Sequence, residues 1–111
     1  YLATDIKIID NSTGKVITNK SINKNKQDIK LKAIINPEYA SNKEITWESS
    51  DTSWAKIGNI KTNSGDEQII SVEKYDKFSL VITYYRDATI TVKSTDGSDI
   101  YATVNISQSN K

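Results

Sequence analysis

The sequence predicts an all-β protein, an antiparallel β-sandwich of about seven to nine strands, and three observations predict it. Apolar residues recur at every second position in several segments, as in residues 28–35, where Ile29, Leu31, Ala33 and Ile35 share one face while Lys30 and Lys32 take the other. No segment long enough to test it carries the 3.6-residue period of an amphipathic helix. Turn formers such as Asp10-Asn11-Ser12-Thr13-Gly14 and Asp96-Gly97 punctuate the alternating runs. At 111 residues the chain, 1–111, has room for one domain, because a seven-strand sandwich takes about 100 residues.

In chain order, residues 4–9 place Ile6 and Ile8 on one face, residues 15–18 return as a short strand after the turn at 10–14, and the whole stretch reads as an edge. Residues 19–27 are Lys- and Asn-rich and predict a surface connection. Residues 28–35 form a strong strand, which Pro37 ends because proline has no N–H for a ladder. Residues 44–49 alternate again, with Ile45, Trp47 and Ser49 against Glu44, Thr46 and Glu48. In the long interval 58–87, residues 68–72 and 78–84 are strand-like. Joined by the charged turn 73–77, they predict an enlarged hairpin with Phe78, Leu80, Ile82 and Tyr84 inward and Ser79, Val81, Thr83 and Tyr85 outward. Ala88, Ile90 and Val92 alternate with Thr89, Thr91 and Lys93, and the Asp96-Gly97 turn predicts a hairpin to Ile100, Ala102, Val104 and Ile106. The polar residues 107–111 read as a linker. The expected core therefore contains Trp47, Ile29, Leu31, Ile45, Ile90, Val92, Ala102 and Val104. No internal repeat is present.

Composition narrows the chemistry. Fifteen basic and fourteen acidic residues leave a net charge of +1, and Arg86 is the sole arginine, so neither a nucleic-acid backbone nor an anionic membrane is an expected partner. No apolar run reaches the roughly 20 residues of a membrane-spanning helix, so direct membrane insertion is not expected. With no histidine and no cysteine, the commonest general base, the usual metal ligands and the thiol nucleophile are all missing. The carboxylate pairs Asp96/Asp99 and Glu48/Asp51 read as solvated surface and turn residues rather than acid–base pairs. The Asp96-Gly97-Ser98-Asp99 loop lacks the closing Glu of a calcium-binding EF-hand. No catalytic residue, metal ligand or cofactor is expected, and the chain does not read as an enzyme. Trp54, Tyr84 and Tyr85 are the candidate ligand contacts, since exposed aromatics stack on sugars or anchor partners. Tyr101 is a further exposed candidate, with cross-strand packing as the plainer reading of all four. Asn11, Asn19 and Asn105 head Asn-x-Ser/Thr sequences.

The stretch from Asn36-Pro37 through Ile45-Thr46-Trp47-Glu48-Ser49-Ser50-Asp51 to Ile57 resembles the bacterial immunoglobulin-like domain of group 2. Members of that family carry an Asn-Pro or Thr-Pro turn, a Val-Thr-Trp-x-Ser-Ser-Asp strand and a small-residue turn. The resemblance covers residues 28–57 and 87–106. It lapses in the longer interval 58–87, at Asp87, where a Gly often stands, and at Trp54, where a Val-like residue is usual.

The family resemblance implies an immunoglobulin-like sandwich without a disulfide, with Trp47 filling the core. It also implies an extracellular or bacterial cell-surface setting. The expected role is a non-catalytic spacer, presenter or adhesion module of a larger protein, with neighbouring domains of the parent chain, a host protein or a polysaccharide as partners. The absence of Met supports the expectation of a piece excised from a longer chain. The alternatives are an accessory carbohydrate-binding module of a secreted glycosidase and a phage virion decoration domain. Some surface modules of this kind form Lys–Asn isopeptide bonds. Lys7, Asn105 and Glu48 have the right types, but their alternation points them outward, away from the dry interior such a bond needs.

Overall fold

Two five-stranded sheets face each other, and every strand that the periodicity marks most strongly lies inside one of them. The computed structural model describes residues 4–22, 25–36, 42–74, 80–82, 85–98 and 100–109. Within them the strands are β1 (Asp5–Asp10), β2 (Lys15–Val16), β3 (Asn19–Ile22), β4 (Gln27–Asn36), β5 (Glu44–Ser49), β6 (Ala55–Ile57), β7 (Lys61–Asn63), β8 (Glu67–Val72), β9 (Tyr85–Ser94) and β10 (Tyr101–Ser109). One sheet runs β2-β1-β4-β8-β6 and the other β3-β10-β9-β5-β7. The described residues thus hold ten strands, against an expected seven to nine. The strands not expected are β3 and the three-residue pieces β6 and β7, too polar or too short to show a period.

The alternation along each long strand sets its inner face. From the first sheet Ile6, Ile8, Ile29, Leu31, Ala33, Ile35, Ile70 and Val72 point inward, and from the second Ile45, Trp47, Ala88, Ile90, Val92, Val104 and Ile106 meet them. Trp47 lies at the centre as expected, its indole N–H donating to Thr62 Oγ1 on β7 at 2.8 Å, so that burial leaves no polar atom unpaired. Of the expected core, Ala102 alone lies only half-buried, packed against the rim.

Three expectations need correction, and a fourth gains detail. Residues 19–27 are more than a connection, because Asn19–Ile22 pairs in parallel with β10 and buries Ile22. Its polar outward residues hid a strand with a single apolar anchor. The stretch 4–18 does form a sheet edge, and within it β1 lies between β2 and β4, so the outermost strand is the two-residue β2. Leu80 and Ile82 do not enter the core. They lie exposed outside any strand, and β8 pairs with β4 and β6 instead of forming the enlarged hairpin, while Phe78 and Tyr84 lie outside the described residues, as does Pro37. Finally, residues 107–109 are not linker, because β10 continues through Ser109 opposite Tyr85.

The β9–β10 hairpin forms where Asp96-Gly97 predicts it, with Gly97 at φ 86°, a left-handed value that glycine adopts without strain. The turn is wider than a two-residue loop: Ser94 N donates to Ile100 O, and Asp96 Oδ1 accepts from Ser98 N at 2.9 Å. Strand directions place the beginning of β1 beside this turn, next to Asn36 and the end of β4. The end of β10 lies at the other end of the sandwich, beside the start of β9. The chain enters at one end and leaves at the opposite one.

Candidate functional site

A polar cluster gathers at the exit end around Trp54. Asp51 opens the turn that builds it. Its Oδ1 accepts from Ser53 Oγ at 2.7 Å and Ser53 N at 3.2 Å, and its carbonyl accepts from Ala55 N at 2.9 Å, closing the turn so that Trp54 drops inward and β6 starts at Ala55. Trp54 is 1 % exposed. Its indole Nε1 donates to Gln108 Oε1 at 2.8 Å, and Gln108 Nε2 donates in turn to the carbonyls of Glu73 at 3.1 Å and Asn25 at 3.3 Å. Over the outer face of the ring lies the Arg86 guanidinium, 5.4 Å from the centroid and 3.1 Å from Asp51 Oδ2. The Ser53 hydroxyl and then Arg86 hold the Asp51 carboxyl below its ordinary range. Lys56 reaches Glu73 at 3.5 Å on the rim.

This geometry removes Trp54 from the candidate ligand contacts: one face is packed in the core, the other lies under Arg86, and the N–H is taken. Tyr85 stands outward on β9, 75 % exposed, and Tyr84 lies outside the described residues. A second exposed aromatic, Tyr101 on β10, is 66 % exposed on the outer face of the second sheet. It lies opposite Lys93 in register, with Thr103 and Thr91 following, and these residues line a shallow groove of about 390 Å³. A larger open groove, about 630 Å³, runs along the side of the sandwich between β5 and β6. Ile57 and Ile60 supply its apolar lining, Glu48 and Lys56 stand within it, and Trp47 lies behind.

Among the described residues, the carboxylate pairs considered for acid–base work are not brought together. Glu48 is exposed on β5, whereas Asp51 is engaged with Ser53 and Arg86, so the two do not form a shared-proton pair. Asp96 caps its own turn through Ser98, and Asp99 lies outside the described residues. Among the described residues no group of three or more His, Cys, Asp or Glu converges as a metal centre would require. The isopeptide trio is not brought together: Lys7 and Glu48 stand on the outer faces of opposite sheets, with Asn105 half-buried on β10.

One half-buried ion pair escaped the sequence reading. Asp10 continues the inward register of Ile6 and Ile8, and its Oδ2 meets Lys20 Nζ of β3 at 2.9 Å while Oδ1 accepts from Ser12 Oγ at 2.7 Å and Ser12 N at 3.0 Å. The Ser12 hydroxyl and then the Lys20 ammonium pull its pKa down to about 2. The pair ties the first strand of one sheet to the outermost strand of the other. Gln108 was likewise missed, although it shares the parity of Ile100, Ala102, Val104 and Ile106 and so continues their inward face.

No known protein family matches the sequence, and no curated protein matches it. Among solved structures, the chain is similar to part of a Bacteroides ovatus GH5 xyloglucanase determined in complex with a XXXG heptasaccharide, with a TM-score of 0.63 at 18 % identity. The match covers 96 % of this chain and 19 % of that one. At that identity the likeness is one of fold, and the chain spans about a fifth of the length of the protein it matches.

Proposed function

We propose that the chain is a non-catalytic immunoglobulin-like module that holds its neighbours in a longer bacterial surface or secreted protein apart and in line. The observation that carries this reading is the placement of the two ends at opposite poles of a sandwich whose two tryptophans are both buried. Such a body transmits position, and its chemistry is absorbed in its own packing. Two further findings support the reading. The group 2 resemblance of residues 28–57 and 87–106 suits a serial module. The fold also recurs as 19 % of a much longer chain described as a xyloglucanase, which suits a domain carried beside others.

The test is affinity electrophoresis and calorimetry of the module against xyloglucan, other plant β-glucans and mucin glycans, with hydrolysis of each followed in parallel. The spacer reading expects no retardation, no heat and no release of sugar. Saturable binding to a polysaccharide would replace it with the second reading, an accessory carbohydrate-binding module. The feature that favours this second reading is Tyr101 amid Thr91, Lys93 and Thr103, an aromatic ring beside hydrogen-bonding side chains on an open sheet face. In that case Tyr101→Ala abolishes the binding.

A further inference from the structure

We infer that this module bears tension, with β3 and β10 forming a shear clamp that takes load when the two ends of the chain are pulled apart. The inference rests on the spacer reading for its biological setting, but its physics follows from strand order alone. The end of β10 leaves at one pole, so a pull on the C-terminus slides β10 along its own axis rather than lifting it off its neighbours. β9 flanks it antiparallel on one side over Tyr101–Ser109, and β3 flanks it in parallel on the other, from Asn19 opposite Asn105 to Ile22 opposite Gln108. Hydrogen bonds between strands lie across the strand axis, so sliding strains many of them together, whereas peeling breaks them one after another.

The N-terminal side completes the clamp. A pull on the N-terminus draws β1 toward its own pole, along its ladder with β4. Were β1 to slip, the load would pass through β2 to β3. There the N-terminal pull on β3 and the C-terminal pull on β10 act on neighbouring parallel strands in opposite senses, which is shear. Three groups outside the ladder resist that slip. Thr18 O accepts from Asn105 N at 3.0 Å at the head of the parallel pair, the Ser21 and Ser107 hydroxyls meet at 3.3 Å within it, and Lys20 is held to Asp10 of β1 at 2.9 Å. At the far end Gln108, bonded to Trp54, Glu73 and Asn25, anchors the last turnless stretch of β10 in the core. Each of these contacts crosses a line along which the strands would have to move.

The test is single-molecule pulling of the whole chain in two directions. The sequence has no cysteine, so introduced cysteines give unique handles. One pair of handles sits at the two termini. The other joins Val81→Cys to the C-terminus, which pulls the exposed loop before β9 and the end of β10 apart at the same pole and so unzips the pair. Because forced unfolding reads the barrier along the pulled direction, the terminal geometry should need at least about twice the force of the unzipping geometry at the same pulling speed. Lys20→Pro, which removes a ladder donor from β3 together with the tie to Asp10, should lower the first force and leave the second unchanged, with native tryptophan emission confirming the fold. Equal forces in the two geometries would overturn the clamp, as would a folded Lys20→Pro protein with undiminished terminal resistance. Should that variant not fold, the two geometries of the unmodified β3 decide alone. A mechanically weak module that binds no glycan would leave the spacer reading in place, so the two conclusions fail separately.

Discussion

Two indoles show how differently one residue type can be legible. Trp47 sits in an unbroken alternation and lands in the core as its parity predicts, whereas Trp54 lies in a turn, where alternation has no meaning, and its burial depends on partners 32 and 54 positions away in sequence, Arg86 and Gln108. Nothing local announces such partners. Replacing Trp54 with Phe keeps the ring but leaves Gln108 Oε1 without its donor, and should cost about 1–3 kcal/mol in denaturant unfolding. Trp47→Ala, which empties the middle of the sandwich, should cost about 3–5 kcal/mol. Gln108→Leu should fall nearer the first figure, because the indole N–H loses its acceptor in a buried site. A stability within experimental error of the parent for any of these would contradict the packing described.

At the scale of elements, strands with strong alternation were readable and those defined by pairing alone were not. β4, β5, β9 and most of β10 carry their own signal in Ile, Val, Leu and Trp at every second position. β3 exists because β10 has an edge to offer it, and its sequence, Asn-Lys-Ser-Ile, looks like a loop. Residues 80–82 show the converse. Leu80, Val81 and Ile82 look like a strand, yet they lie outside the ten strands of the described residues and are 84 %, 89 % and 54 % exposed. Exchanging the three for Ser, Thr and Ser should therefore change unfolding free energy by less than about 0.5 kcal/mol, while reducing binding of a hydrophobic dye.

The link between β1 and β3 has its own signature in acid. Asp10 titrates at about 2 in the folded protein against an ordinary 3.8, so the native state favours the charged form. Its contribution is complete above the unfolded value and disappears as pH falls from about 4 through about 2. The thermal midpoint should drop across that window, and Asp10→Asn should flatten the drop while lowering the midpoint at neutral pH. An identical acid slope in the variant would show that other carboxylates carry the effect.

For the whole molecule, the class of fold was legible and the direction of the chain through it was not. Alternation without helical period specifies sheets, and 111 residues specify how many layers they can make. Which strand neighbours which depends on long-range choices, among them the crossing from β2 to β3 that moves the chain from one sheet to the other. The candidate site was legible only in part, since the exposed Tyr85 and Tyr101 were marked by their outward parity but Trp54 was not.

That polar arrangement of the two ends has a consequence in lengths. Ten residues of β4 at about 3.3 Å each make a body roughly 33 Å long between entry and exit. A flexible tether of only about 30 residues would reach as far on average, by the square-root law for loose chains. Its tips, however, would wander over as much as they reach, whereas the sandwich sets both the gap and the bearing between whatever it joins. The extra residues are what a fixed gap costs over a fluctuating one, and stacking further copies would lengthen the gap in equal steps.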